Sequence, residues 1–138
     1  MIGLDTNVLA RYYIDDAADV QAQRQRLVAR RLIESGQPLM VSKSVVLELE
    51  WVMRGYYGFT PSEVAAVLRH LVEQMHITIE NREQVEQALS NCEAGIEFAD
   101  ALHHASYRSC TSVASFDDRK FARRAKTLGL APAVLVLS

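Results

Sequence analysis

Cysteine is scarce in this chain of 138 residues. The two cysteines, Cys92 and Cys110, are too few and too far apart for a disulfide framework or a zinc knuckle, and we expect both to be reduced thiols in the core. No apolar run approaches the roughly 18 residues that a membrane-spanning helix needs, and Asp5 stands where a signal peptide would have its hydrophobic stretch. The sequence therefore predicts a cytoplasmic protein with no membrane partner.

Glycine-rich phosphate-binding loops are also absent. The six glycines are scattered singly, so nucleotide binding of the P-loop or Rossmann kind is not expected. A phosphatase that forms an aspartyl-phosphate on Asp5 would want a second acid two residues later, where the chain has Asn7. Serine and cysteine nucleophiles lack a convincing set of partners. These absences argue against each of those three classes of protein.

The chain has no strong net charge. The formal charge is -2 and the isoelectric point is near 6.1, so a nucleic acid must be met by a local patch and not by the whole surface. One such basic patch is predicted on a short segment that contains Arg119, Lys120, Arg123 and Arg124. Apolar residues make up 49% of the chain and charged residues 23%, as in an ordinary globular protein, so we expect a single domain over residues 1–138.

Short apolar strands alternate with helical patterns along the chain. The strands are predicted at residues 1–4, 38–41, 76–79, 112–116 and 133–137. Thr60, followed by Pro61 and Glu63, is a typical helix start with a capping box. Strands separated by helices imply a parallel sheet covered on both faces. The predicted fold class is therefore α/β, a three-layer α/β/α sandwich with a central, mainly parallel sheet.

Three acidic residues, Asp5, Asp100 and Asp117, are predicted at strand ends or in the first turn of a helix. A fourth, Glu48, is predicted one turn into the helix that directly follows the strand at residues 38–41. Ligands of open α/β sheets bind beyond the carboxyl ends of the strands, so these carboxylates are expected at one edge. Each acid taken alone is more simply a helix cap, and Glu48 a solvated residue or a partner of Arg54. As a set, however, they would repel one another without a cation, and hard oxygen ligands suit magnesium.

Two other groups of side chains have competing interpretations. Asp100 and His104, one helical turn apart, are a conceivable metal pair, although such histidines are more often partly buried helix residues. An aromatic cluster at residues 51–59, which includes Trp51 and Tyr56, is more simply packing at a helix end than a platform for stacking bases.

Four stretches of the chain together resemble a known family. They are "GLDTNVLARY", "VVLELEWVM", "EFADALHHA" and "SFDDRKFARRA", and they lie in the order and spacing typical of PIN domains, in particular the VapC branch of toxin ribonucleases from bacterial toxin-antitoxin pairs. The resemblance implies that Asp5, Glu48, Asp100 and Asp117 are the catalytic acids and hold Mg²⁺ or Mn²⁺. It further implies supporting positions at Glu97, Thr6, Asn7 and Ser115. Asp118 lies beside Asp117 where one acid is typical, and the S-x-D spacing favours Asp117.

The resemblance implies hydrolysis of RNA phosphodiester bonds by a metal-activated water, in a metal-dependent endoribonuclease. Because an acidic site repels RNA, Arg119, Lys120, Arg123 and Arg124 are candidates for holding the flanking phosphates, although each is about equally explained as a solvated helix residue. The expected partners are RNA, a cognate antitoxin and a second copy of the chain. The main alternative is a non-catalytic PIN-like module that binds RNA or protein, and a weaker one is an enzyme acting on DNA flaps. Retention of all four acids favours the ribonuclease.

Overall fold

The computed structural model of the chain describes residues 1–138, and they form two compact units, Met1–Arg82 and Glu83–Ser138. Each unit has its own core and its own parallel sheet, and each is described by itself below. No helix in the chain combines the length and the apolar character needed to cross a membrane.

The first unit is built on a three-stranded parallel sheet in the order β1-β2-β3. Its elements in chain order are β1 (Ile2–Gly3), α1 (Thr6–Tyr13), α2 (Val20–Ile33), β2 (Leu39–Val41), α3 (Lys43–Trp51), a π-helical turn (Val52–Tyr56), α4 (Pro61–Glu73) and β3 (Ile77–Ile79). Ile2 is in register with Leu39, and Leu39 with Ile77. Leu39, Val41 and Ile77 are almost completely buried, as parallel strands covered by helices must be.

Helix starts in this unit follow the local sequence signals. The Thr60 backbone N–H donates to Glu63 Oε1 at 2.9 Å, and the Glu63 N–H donates to Thr60 Oγ1 at 3.2 Å, so the predicted capping box is confirmed. Ser42 caps α3 by accepting from the Val45 N–H at 3.3 Å. These bonds satisfy backbone donors that the first helical turn leaves without partners.

Helix α2 buries a face of small residues and leaves larger apolar side chains in solvent. Its buried residues are Ala22, Ala29 and Ile33, whereas Leu27 is 58% exposed and Val28 is 64% exposed. Alanines allow α2 to approach α1 closely, and this contact selects the helix face that becomes buried. The helix has four arginines and no acidic residue between Val20 and Ile33.

The second unit contains α5 (Arg82–Glu93, beginning one residue before the unit), α6 (Phe98–Ser106), β4 (Ser112–Ser115), a π-helical turn (Asp118–Ala122), α7 (Arg123–Thr127) and β5 (Ala133–Val136). Strands β4 and β5 pair in parallel, with Ser112 in register with Ala133. The buried side chains include Val85, Leu89, Phe98 and Phe121.

The α/β class with parallel strands is confirmed, and all five predicted strands are present with ends displaced by at most one residue. The single domain over residues 1–138 stays a prediction. The expectation of two core thiols is wrong for Cys110, which is exposed, while Cys92 is half-buried, and neither cysteine forms a disulfide.

Candidate functional site

Asp5 is held at the start of α1, two residues after strand β1 ends. Its Oδ1 accepts from the Thr6 backbone N–H at 2.8 Å, so Asp5 is the N-cap of the helix. The carboxylate is exposed and forms no ion pair. One oxygen therefore stabilises the helix, and the second is available to a ligand.

Thr6 has the one buried side-chain polar atom of the chain that lacks a hydrogen-bond partner. The residue is 6% exposed, and its Oγ1 neither donates nor accepts a bond. An unsatisfied buried hydroxyl costs about 1–3 kcal/mol, so such a group in a native protein calls for an explanation. A hydroxyl beside an available carboxylate oxygen is suited to a polar or ionic ligand at the end of β1. Asn7, the next residue, is exposed.

Glu48 lies on α3, in the helix that follows strand β2. Its side chain is exposed and has no hydrogen bond or ion pair. The suggested pairing of Glu48 with Arg54 is wrong, because Arg54 Nε lies 2.9 Å from Oε2 of Glu50, which is only 4% exposed. Two neighbouring glutamates on one helix thus differ: Glu50 is buried and paired, and Glu48 is exposed and available.

Asp100 is in the first turn of α6, in the second unit, and is half-buried. Desolvation raises the pKa of its carboxyl, and the nearby carboxylates of Glu97 and Asp117 raise it further. Glu97 is the N-cap residue of α6 but makes no capping bond with its side chain, and Lys120 Nζ lies 4.0 Å from its Oε1. Three acids of the second unit therefore share one neighbourhood and repel one another.

Asp117 follows strand β4 and caps the π-helical turn. Its Oδ1 accepts from the Lys120 backbone N–H at 2.9 Å, and this hydrogen bond lowers the pKa of the Asp117 carboxyl. The Asp117 N–H donates to Ser115 Oγ at 3.0 Å, so Ser115 fixes the chain at this point. Asp118 is exposed in the first turn and is not among the groups that shift the Asp100 pKa.

The predicted ligands are thus divided between the two units. Asp5, Glu48 and Thr6 belong to the first unit, and Asp100, Asp117 and Glu97 belong to the second. Within neither unit do three or more histidine, cysteine, aspartate or glutamate side chains lie close enough to hold one metal ion. The donors themselves are hard oxygen ligands with no thiolate among them, which suits Mg²⁺ or Mn²⁺.

The four predicted RNA-binding cations are all exposed. Arg124 donates to the Gly95 carbonyl at 2.9 Å, and Lys120 lies near Glu97. Arg119 and Arg123 are four residues apart, which is about one helical turn, and the side chain of neither forms a hydrogen bond or an ion pair. These two guanidinium groups are therefore the cations of this segment that are available to an anion.

The histidines of α6 do not form a metal pair with Asp100. His104 is 3% exposed, its Nε2–H donates to the Pro132 carbonyl at 2.7 Å, and its ring meets Phe121 edge-on. His103 is exposed. The interpretation of His104 as a buried helix residue is confirmed.

Two features of this region were not predicted from the sequence. Glu80, directly after β3, accepts from the Lys43 N–H at 2.8 Å and so anchors the start of α3, the helix that presents Glu48. Trp51 and Tyr56 were expected to be packed, but they are 55% and 74% exposed. The sequence does indicate that Trp51 is close to Glu48 on the helix surface, because Trp51 stands three residues after Glu48 and therefore on the same face of the helix.

A comparison with protein families matches residues 2–127 to the PIN domain family. The chain belongs to this family, which defines a nuclease-type fold. PIN domains are generally nucleases, that is hydrolases, and they typically use divalent metals. No characterised protein in a curated collection matches the chain.

Proposed function

We propose that the protein is a metal-dependent endoribonuclease that acts as the toxin of a toxin-antitoxin pair. The observation that carries the proposal is that none of the carboxylates of Asp5, Glu48, Asp100 and Asp117 forms an ion pair with a protein cation. Other acids of the chain do so, including Asp15, Glu34, Glu50 and Glu83. Three acids after strands or at helix starts, and Glu48 within α3, remain without a cation and are suited to receive one.

In this proposal, Asp5, Glu48, Asp100 and Asp117 hold Mg²⁺ or Mn²⁺. The bound metal supplies a water of lowered pKa and neutralises charge on the phosphate. The capping bond to Thr6 fixes the orientation of Asp5, and the Ser115 and Lys120 bonds fix Asp117. The Thr6 hydroxyl is placed to donate to an oxygen of the site, and Glu97 and Asn7 are supporting polar groups.

The Asp100–Asp117 proximity favours Asp117 over Asp118 as the fourth ligand. We expect Asp117→Asn to lower RNA cleavage at least about 10-fold more than Asp118→Asn, because Asp117 acts electrostatically on Asp100 and Asp118 does not. Asparagine keeps an oxygen that can accept the capping bond, so the fold should be unaffected. Rates of cleavage of one RNA by the two purified variants provide the test, and the reverse order would assign the role to Asp118.

Arg119 and Arg123 are proposed to contact phosphates of the bound RNA, with Lys120 and Arg124 nearby. Replacing Arg119 and Arg123 together by glutamine should weaken RNA binding, and the slope of log affinity against log salt should fall by about 1.4, because two phosphate contacts are lost.

A matched control is Arg31→Gln, since Arg31 on α2 is also exposed and has no partner. It should leave the salt slope unchanged. An unchanged slope in the double variant would remove this segment from the RNA-binding surface.

The central test is incubation of the purified protein with total cellular RNA, with and without added Mg²⁺ or Mn²⁺, followed by mapping of the cut ends. We expect metal-dependent cleavage at defined internal positions. Binding of RNA without cleavage at any metal concentration would instead indicate the non-catalytic module. An antitoxin partner, a second copy of the chain and a cytoplasmic location stay predictions.

A further inference from the structure

The single tryptophan of the chain, Trp51, lies in solvent beside a proposed catalytic residue. Its side chain is 55% exposed at the last position of α3, where a buried aromatic would be expected. Trp51 follows Glu48 by three residues and is therefore its neighbour on the helix surface. Both side chains are exposed. The two residues therefore share one stripe of the helix surface.

The ring is supported on one side by the backbone. A Cβ added at Gly55 would lie 3.2 Å from both Cε2 and Nε1 of Trp51 and 3.5 Å from Cδ2. Similar distances to three ring atoms place Gly55 over the face of the indole and not at its edge. Glycine at this position allows the ring to lie against the helix, so one aromatic face is covered and the other is available.

The residues around Trp51 are a mixture of polar and apolar side chains. On the same stripe, Ser44, Glu48 and Gly55 are exposed and Leu47 is half-buried, while Tyr56 in the next turn is 74% exposed. A stable protein interface buries about 800 Å² on each partner around an apolar centre, and on this stripe Trp51 is flanked by an acid and a glycine. A flat ligand that needs one aromatic face is a better match, and a nucleobase is such a ligand.

Trp51 shares a face of α3 with Glu48, so a base stacked on its ring would lie on the side of the helix that presents this proposed metal ligand. Duplex RNA hides its bases in the helical stack, so only an unpaired base can use the ring.

We propose that Trp51 is a stacking platform for an unpaired base of the substrate RNA. The inference rests on the proposed ribonuclease function. It adds a residue that positions the substrate through one of its bases.

The tryptophan itself reports on the contact, because it is the only one in the chain. Wild-type protein in EDTA at low salt, where cleavage is prevented, is titrated with a short unstructured oligouridylate, and fluorescence is excited where tyrosine does not absorb. We expect saturable quenching with the same midpoint as anisotropy of the labelled RNA. The same strand annealed to its complement should not quench.

Variants then measure the contribution of the ring. Trp51→Leu should weaken binding of the labelled single strand by about 5-fold to 150-fold, the usual range for one stacked base, and Trp51→Phe by less. Tyr107→Leu is the matched control, since Tyr107 is 49% exposed on the other unit, and it should bind as wild type does. Circular dichroism melts check that each variant folds.

The outcomes separate the two proposals. If the wild type cleaves RNA with Mn²⁺ but Trp51→Leu binds RNA as tightly as Tyr107→Leu, the platform is wrong and the ribonuclease stands. If the wild type neither binds nor cleaves RNA, the proposed function is itself wrong. A Trp51 spectrum that changes with protein concentration in the absence of RNA would identify the ring as part of a protein interface and overturn the stacking role.

Discussion

Asp5→Asn is expected to lower RNA cleavage by at least about 100-fold and to abolish growth arrest when the protein is expressed. The substitution keeps the shape of the side chain and an oxygen that can accept from the Thr6 N–H, so the cap of α1 is preserved. What it removes is one negative charge from the proposed metal site. The measurement is the rate of metal-dependent cleavage, with the melting temperature recorded in parallel.

Asp19→Asn provides the matched control for a helix cap that has no predicted role in catalysis. Asp19 caps α2 in the same unit, and its Oδ1 accepts from the Gln21 N–H at 2.9 Å and the Ala22 N–H at 3.1 Å. Its replacement should change neither the cleavage rate nor the melting temperature appreciably. Full toxicity of Asp5→Asn, equal to that of Asp19→Asn, would show that Asp5 is only a cap.

Addition of Mn²⁺ at a hundredfold excess over its dissociation constant should raise the melting temperature of the wild type by about 9 °C. This corresponds to about 2.7 kcal/mol of stability added by mass action in a chain of this length. In the Asp100→Asn variant, the rise in melting temperature on addition of Mn²⁺ should be markedly smaller. In EDTA, however, the variant should be as stable as the wild type or more so, because it relieves the repulsion with Glu97 and Asp117.

The sign of the pH dependence provides a second check. The folded protein raises the pKa of Asp100 above its ordinary value of 3.8, so ionisation of this group destabilises the folded state. In EDTA, the stability advantage of Asp100→Asn should therefore be absent below pH 3.8 and present at neutral pH. The opposite result has two parts: the melting temperature of the wild type does not respond to Mn²⁺, and the variant melts at a lower temperature than the wild type in EDTA. It would mean that Asp100 stabilises its helix and binds no metal.

Much of the fold could be predicted because its signals are local. The strands are continuous apolar runs, and the Thr60–Glu63 capping box satisfies its own backbone donors whatever lies around it. The positions of Asp5 and Asp117 after strands followed from the same alternation. Such features depend on a few neighbouring residues, and the sequence displays them directly.

Features that depend on packing could not be predicted in the same way. In α2, the periodicity of the sequence does not decide whether the face with Leu27 or the face with Ala29 is buried, because burial depends on how closely another helix approaches. Trp51 is exposed with its ring against Gly55, a residue of the π-helical turn after α3, and this contact depends on the path of the chain in that turn. The pairing of Arg54 with Glu50, and not with Glu48, also depends on which glutamate is buried.

The candidate site was predictable as a set of residue types but not as an arrangement. Strand ends and the family resemblance indicate which acids to examine, whereas their ionisation depends on distances that only the fold provides. The electrostatic effect of Asp117 on Asp100, for example, could not be inferred from residues 17 positions apart.

The composition of α2 limits how copies of the chain can meet. Leu27 and Val28 are exposed on a helix with four arginines and no acid, and Arg24 and Arg31 have no partner. Two such helices face to face would bring like charges together before their leucines touched, so this surface opposes self-association. The protection is electrostatic and fades as salt shortens the Debye length below about 8 Å. At high salt concentration, the exposed Leu27 and Val28 are no longer protected by charge and can associate between copies, so the colloidal stability of the protein depends on the ionic strength of its solution.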